Sequence, residues 1–150
     1  MAAIAATTSP LIRRYTLEEF WALENPPGGG HYELIAGVLY MVPPPEGPHS
    51  TAVTRLMRRF STHLDLHPDL GELFVPRAAV WTSANTYLEP DLMFVSADIL
   101  RRMDPGHLST ASLVVEVISP STAVYDRTTK ADTYAALQVG ELWLIDTQKQ

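Results

Sequence analysis

The chain has no cysteine. Disulfide bridges, thiolate nucleophiles and cysteine-ligated zinc are therefore excluded, and the composition is compatible with a reducing cytoplasm, the location expected here. Long apolar runs are also missing: no window approaches the ~20 residues a membrane-spanning helix needs, so no membrane partner is expected. The opening Met1-Ala2-Ala3-Ile4-Ala5-Ala6 lacks the basic start and long apolar stretch of a secretion signal, and residues 1–14 are expected to form a flexible tail. Basic residues are the minority, 11 Lys and Arg against 17 Asp and Glu, which gives a net charge of −6. That balance disfavours sequence-independent binding to nucleic acid, whose affinity comes largely from neutralised phosphates. A local basic strip would still suffice, and part of the negative charge would belong to a metal site. Arg55, Arg58 and Arg59, then Arg101 and Arg102, are candidates for such a strip; the plainer reading is a solvated helix face and a loop.

What is present is the composition of one folded domain: 150 residues, 46% hydrophobic and 19% charged. No repeat or linker divides it, so residues 15–150 are expected to form a single domain. Thr16 caps a helix with Glu19 as its capping-box partner, and Asn25-Pro26-Pro27-Gly28-Gly29-Gly30 ends it. His31 to Val42 reads as a hairpin turning at Ala36-Gly37. Apolar residues at Ala52, Val53, Leu56, Met57, Phe60 and Leu64 predict a long helix over Ser50–Leu66 with its arginines on the other side. Strands are expected over Leu73–Trp81, Leu88–Val95, Leu113–Ile118 and Glu141–Asp146, with a short helix after Ser96. Asp126 is placed to cap a helix running to about Val139, with Gly140 as its left-handed stop. This order indicates an α/β (α+β) fold with a central mixed β-sheet flanked by helices. A last strand at Glu141–Asp146 would leave an open edge, which suggests that further strands follow or that a partner chain, a homodimer included, covers it.

Two carboxylates interrupt the most apolar of these strands. Asp91 follows Pro90 at a strand start, and Glu116 is the one polar residue in Leu113-Val114-Val115-Glu116-Val117-Ile118, a run expected to be buried on both faces. An ionised group leaving water must be paired, hydrogen-bonded or bound to a metal. Phosphodiester cleavage needs a positioned water, neutralised transition-state charge and help for the leaving oxygen, and a carboxylate-held magnesium ion supplies all three. If the two strands are neighbours, Asp91 and Glu116 can share one such ion, with waters filling its octahedron. Lys130 shares a helix face with Tyr134 and Leu137, so it is expected to point at the sheet, where it would orient or deprotonate the attacking water or stabilise the developing charge.

The segments Tyr32 to Gly37, Glu89-Pro90-Asp91-Leu92, Val114 to Thr122, Asp126 to Lys130 and Glu141 to Asp146 together resemble the Uma-two (Uma2) family, a branch of the PD-(D/E)XK nuclease superfamily. The resemblance runs from about Tyr15 to Asp146 and includes segment order. It implies a restriction-endonuclease-like fold, a DNA substrate, Mg2+ with Mn2+ as substitute, Asp91 and Glu116 as metal ligands and Lys130 as the catalytic lysine. It also implies a metal-binding role, direct or through water, for Glu33 in the first hairpin. One departure is plain: two residues after Glu116 stands Ile118, not lysine, and the resemblance implies that the lysine function has moved to the following helix, to Lys130.

Plainer readings stand beside these. Asp91 alone is a turn residue, Glu116 alone an ion-pair partner of Lys130, and Glu33 alone a solvent-facing hairpin residue. His49, at the start of the long helix, faces the cleft or solvent and stays outside the candidate site. His63 and His67 have metal-pair spacing without the glutamate of a zinc-protease helix. Ser119 and Ser121 lack a nucleophile elbow, Gly28-Gly29-Gly30 lacks a phosphate-binding lysine, and Trp21, Trp81 and Trp143 read as core or partly buried packing residues. The leading expectation is a magnesium-dependent endonuclease acting on DNA; the alternative is a weakly active or inactive domain of the same fold that binds nucleic acid or a protein partner.

Overall fold

In a computed structural model the chain is described over residues 11–149; the expectations for residues 1–10 lie outside them. Thr16 caps α1 (Leu17–Trp21) through the expected reciprocal box with Glu19. The hairpin of β1 (His31–Ile35) and β2 (Val38–Val42) turns at Ala36 and Gly37, both with positive φ (48° and 82°), the handedness that matches the twist of paired strands. Pro48 in its first turn starts α2 (Gly47–Leu66) three residues earlier than the apolar periodicity does.

The middle of the chain differs from expectation in an instructive way. The strand expected over Leu73–Trp81 is two strands, β3 (Gly71–Phe74) and β4 (Val80–Thr82), separated by a segment containing Pro76. The strand expected over Leu88–Val95 is likewise β5 (Thr86–Leu88) and β6 (Leu92–Ser96), separated by Glu89-Pro90-Asp91. A proline has no N–H to offer a central ladder, so the chain leaves one sheet and enters another at each. The result is two four-stranded sheets: an antiparallel one in the order β2-β1-β5-β4, and a mixed one in the order β3-β6-β7-β8, with β7 (Leu113–Ile118) antiparallel to β6 and parallel to β8 (Glu141–Asp146).

A short α3 (Ala97–Leu100), capped by Ser96, follows β6. Between β7 and β8 the parallel pairing demands a crossover, and a helix over 123–136 provides it. That helix begins at α4 (Ala123–Tyr125), passes through a π-helical turn (Asp126–Lys130) and ends as α5 (Ala131–Ala136). Asp126 therefore lies inside the helix rather than capping it. Gln138 (φ 59°), not Gly140, takes the left-handed stop. Gly140 answers a different need: a Cβ there would stand 2.6 Å from the Ser112 carbonyl oxygen.

The main core lies between the sheets, where Val80 and Leu88 meet Met93, Val95, Val114 and Tyr134. On the other face of the mixed sheet, Leu92, Leu113 and Val115 pack under Val53, Leu56, Met57 and Phe60 of α2. Each fully buried side chain of this kind contributes roughly 1.5–3 kcal/mol. The arginines of α2 are exposed, and Arg101 and Arg102 pair with Asp98 on the surface. Trp81 is half-buried as expected, whereas Trp21 is 56% exposed. Among the described residues no helix is long and apolar enough to cross a membrane.

Candidate functional site

Every residue of β7 is buried, so its one polar side chain must find partners inside the protein. Glu116 shares a sheet face with Val114, the face covered by the 123–136 helix, and Oε1 receives Lys130 Nζ at 2.7 Å and the Tyr134 hydroxyl at 2.5 Å. Lys130 reaches across to a second acid. Glu33 on β1 is 0% exposed, and its Oε1 lies 3.2 Å from Lys130 Nζ while also accepting the Glu89 backbone N–H at 2.9 Å. The Tyr125 hydroxyl donates to the remaining oxygen at 2.8 Å. One lysine thus joins the two sheets through an acid from each.

The π-helical turn explains how Tyr125 and Lys130 both reach Glu33. Residues five apart in a regular α-helix point about 140° apart around the axis. Closing hydrogen bonds from i to i+5 brings them to one side, where Asp126 is buried as well.

Asp91 enters from the chain break at Pro90. Leu92 pairs with Val115, so one more step along the ladder sets Asp91 opposite Glu116. Its Oδ2 accepts the Val117 backbone N–H at 2.7 Å and lies 3.0 Å from His49 Nε2 in the first turn of α2. Asp91, Glu116, Asp126 and Lys130 all line one cleft of about 350 Å³, together with His49. Its upper walls are Pro43, Pro44 and Pro45 after β2, with Pro76 and Pro90 at the two sheet-switching breaks. The breaks that split the expected strands therefore build the cleft.

The electrostatics separate the two acids that hold Lys130. Burial alone would raise Glu33, but the Lys130 charge and its hydrogen-bond donors outweigh it and hold the carboxyl at about 2. Burial dominates at Glu116, the neighbouring charges of Asp91, Glu33 and Asp126 add to it against Lys130, and the carboxyl rises to about 8. Burial disfavours the charge on Lys130, yet Glu116 and Glu33 keep it above the usual lysine range. The hydrogen bond to Asp91 raises His49 against its burial, and burial raises Asp126.

Could these residues take a divalent cation? The cleft offers hard carboxylate oxygens from Asp91, Glu116 and Asp126, and their mutual repulsion is what a bound cation relieves. Among the described residues no three His, Cys, Asp or Glu side chains form a ready ligand cluster. Magnesium, which commonly takes one or two carboxylates and keeps several waters, fits such a donor set.

The structure brings Asp91, Glu116 and Lys130 to one cleft and places Glu33 behind it. Both oxygens of Glu33 are engaged by protein donors, and the residue does not line the cleft. Ile118, where a lysine two residues after Glu116 would stand, is 3% exposed on the same strand, and the ammonium group arrives from the helix instead. Asp126, named from the sequence only as a helix cap, and Tyr125, His31 and the bidentate Arg77–Glu89 pair (2.9 and 3.2 Å) were not expected at the site. His63 and His67 have rings 4.6 Å apart on the exposed end of α2, away from the cleft.

A family model described as "Uma2: Putative restriction endonuclease" matches residues 17–150. Among solved structures, a crystal structure of "a putative nuclease belonging to DUF820" from Anabaena variabilis ATCC 29413 is similar, with a TM-score of 0.65 at 19% sequence identity, covering 88% of this chain and 74% of that one. At that identity the likeness concerns the fold, which is restriction-endonuclease-like. No curated protein matches the chain.

Proposed function

This chain belongs to the Uma2 family, described as "Putative restriction endonuclease", and from that premise we propose that it is a magnesium-dependent endonuclease hydrolysing DNA phosphodiester bonds in the acidic cleft. The observation that carries this reading is the convergence on one cleft floor of a strand-end aspartate, a mid-strand glutamate and a buried lysine. Asp91 and Glu116 are the residues that would hold the ion, with manganese as a substitute. Bound there, it would neutralise phosphate charge and supply a more acidic water.

The chain's own residues do the rest. His49 and the Val117 N–H fix Asp91 through Oδ2. Lys130, kept protonated by two carboxylates, orients the attacking water and stabilises negative charge on the phosphoryl oxygens rather than taking a proton. In the hydrolysis, the water oxygen bonds to phosphorus, one bridging P–O bond breaks, the departing oxygen gains a proton and the water's own proton passes to solvent. Glu33 we assign to Lys130 and not to the metal: with both oxygens occupied, it sets the height of the ammonium group over the floor.

The test is nicking of supercoiled plasmid in Mg2+ or Mn2+. Asp91→Ala and Lys130→Ala should each lower the rate by about 100-fold or more. Nicking that survives both substitutions overturns the assignment.

A further inference from the structure

The acidic cleft adjoins two other cavities. Arg77 and Glu89 line both the cleft and a cavity of about 170 Å³ whose other walls include Trp21, Tyr32 and Tyr87. Val42, Pro43 and Thr122 line both the cleft and a cavity of about 370 Å³ that is walled by Tyr40, Met41 and Tyr125. The two outer cavities share no wall, so the acidic cleft lies between them. Each outer cavity presents a large apolar side chain that the fold leaves uncovered: Trp21 is 56% and Met41 65% exposed. Behind Met41, Tyr40 and Tyr125 stack with ring centroids 4.9 Å apart.

Charge narrows the choice of strand. Among the residues lining the three cavities, Arg77 is the only exposed arginine or lysine, held at the junction by Glu89. Arg55, Arg58 and Arg59 are exposed on α2 away from its buried stripe. Duplex DNA binders commonly neutralise six to ten phosphates, roughly, and one cation cannot do that. Duplex bases are also stacked on one another and cannot offer their faces to Trp21 or Tyr40. Unpaired bases can, because stacking on aromatic side chains tolerates any base.

We propose that the substrate is unpaired, single-stranded DNA laid through the three cavities, with a base against Trp21, a phosphate on Arg77, the scissile phosphodiester over Asp91 and Glu116, and the next bases against Met41 and Tyr40. This rests on the nuclease reading for the position of the cut, and on the cavities and Arg77 for the strand. The prolines of the central walls serve as an apolar rim for sugar and base.

Fluorescence anisotropy with a labelled 15-nucleotide DNA, as single strand and as blunt duplex, tests it in Ca2+ to hold off turnover. The single strand should bind at least tenfold more tightly than the duplex. Trp21→Ala, Met41→Ala and Arg77→Gln should each weaken single-strand binding by about fivefold or more, whereas Arg55→Ala changes it less than twofold. The salt dependence should be shallow, a log–log slope of about −0.7 per phosphate contacted. Because Trp21 also packs edge-on against Trp81, exposed Met41 is the variant that separates lost stacking from altered folding. Duplex binding as tight as single-strand binding, or single-strand affinity untouched by both Trp21→Ala and Met41→Ala, overturns the proposal. If single-strand binding follows the pattern and nothing is cleaved, the nuclease reading fails and this inference stands; if plasmid is nicked while duplex binds equally well, the reverse holds.

Discussion

Glu33 and Glu116 are the same residue type, buried in two different sheets and clasping the same ammonium group, yet their protonation behaviour diverges: one is held at about 2, the other raised to about 8. The difference lies in what else each touches. Glu33 has a tyrosine hydroxyl, a backbone N–H and the lysine spread over both oxygens, and it lies outside the cleft. Glu116 gathers its two donors on one oxygen and faces Asp91 and Asp126 across the cleft floor. Burial with enough donors makes a structural anchor, and burial among like charges makes a group ready to share a cation.

The largest expected effect comes from removing the shared partner. Lys130→Ala leaves the buried, ionised Glu33 without its cation, so it should destabilise the fold by about 3–5 kcal/mol in urea unfolding as well as stop nicking. Its counterpart at the cleft, Asp91→Ala, should stop nicking with a much smaller stability loss, since Asp91 is partly exposed.

Next comes the contrast between the acids. Glu33→Gln breaks the anchored pair and should cost about 3 kcal/mol. Glu116→Gln removes a carboxyl that burial already pushes towards its protonated form, so its stability loss should be smaller than that of Glu33→Gln while nicking is lost. Equal stability losses for the two would erase the distinction.

The pH dependence sharpens the same contrast. Glu33, depressed on folding, adds stability that is full above its unfolded value of 4.5 and is lost as pH falls from there towards about 2. Glu116, raised on folding, acts in the opposite sense: the folded state holds a proton that the unfolded chain releases, so stability falls as pH rises from 4.5 to about 8. Urea midpoints between pH 5 and 8 should therefore decline with a slope of at most about 1.4 kcal/mol per pH unit from this group, and Glu116→Gln should flatten the decline.

The smallest contrast is between the tyrosines. Tyr125→Phe takes a donor from an ionised carboxylate and should cost about 2 kcal/mol, and Tyr134→Phe, beside the acid that tends to stay protonated, about 1 kcal/mol. Thermal melts of the two variants measure the order.

The strands and helices that obey one periodicity were readable in the chain. The apolar stripe of α2 and the unbroken β7 gave both their element type and their buried face, and the carboxylates interrupting apolar strands marked Asp91 and Glu116. Lys130 was legible from its stripe with Tyr134. The sheet switches were not, because β-prone residues lie on both sides of Pro76 and Pro90 and the local pattern does not say which sheet receives them. Glu33 was expected as a metal-binding residue from the resemblance and as a solvent-facing hairpin residue on its own, and neither reading could find its burial, which depends on Tyr125 and Lys130 more than 90 residues later in the chain. The π-helical turn had no sequence signature, and with it went the inward placement of Asp126.

Crystals soaked in Mn2+ test the central claim most directly, through anomalous density in the acidic cleft. One peak about 2.0–2.2 Å from carboxylate oxygens of both Asp91 and Glu116, with Glu33 still bound to Lys130 and Tyr125, is the predicted result. A peak coordinated by Glu33, or none in the cleft at saturating Mn2+, would contradict it.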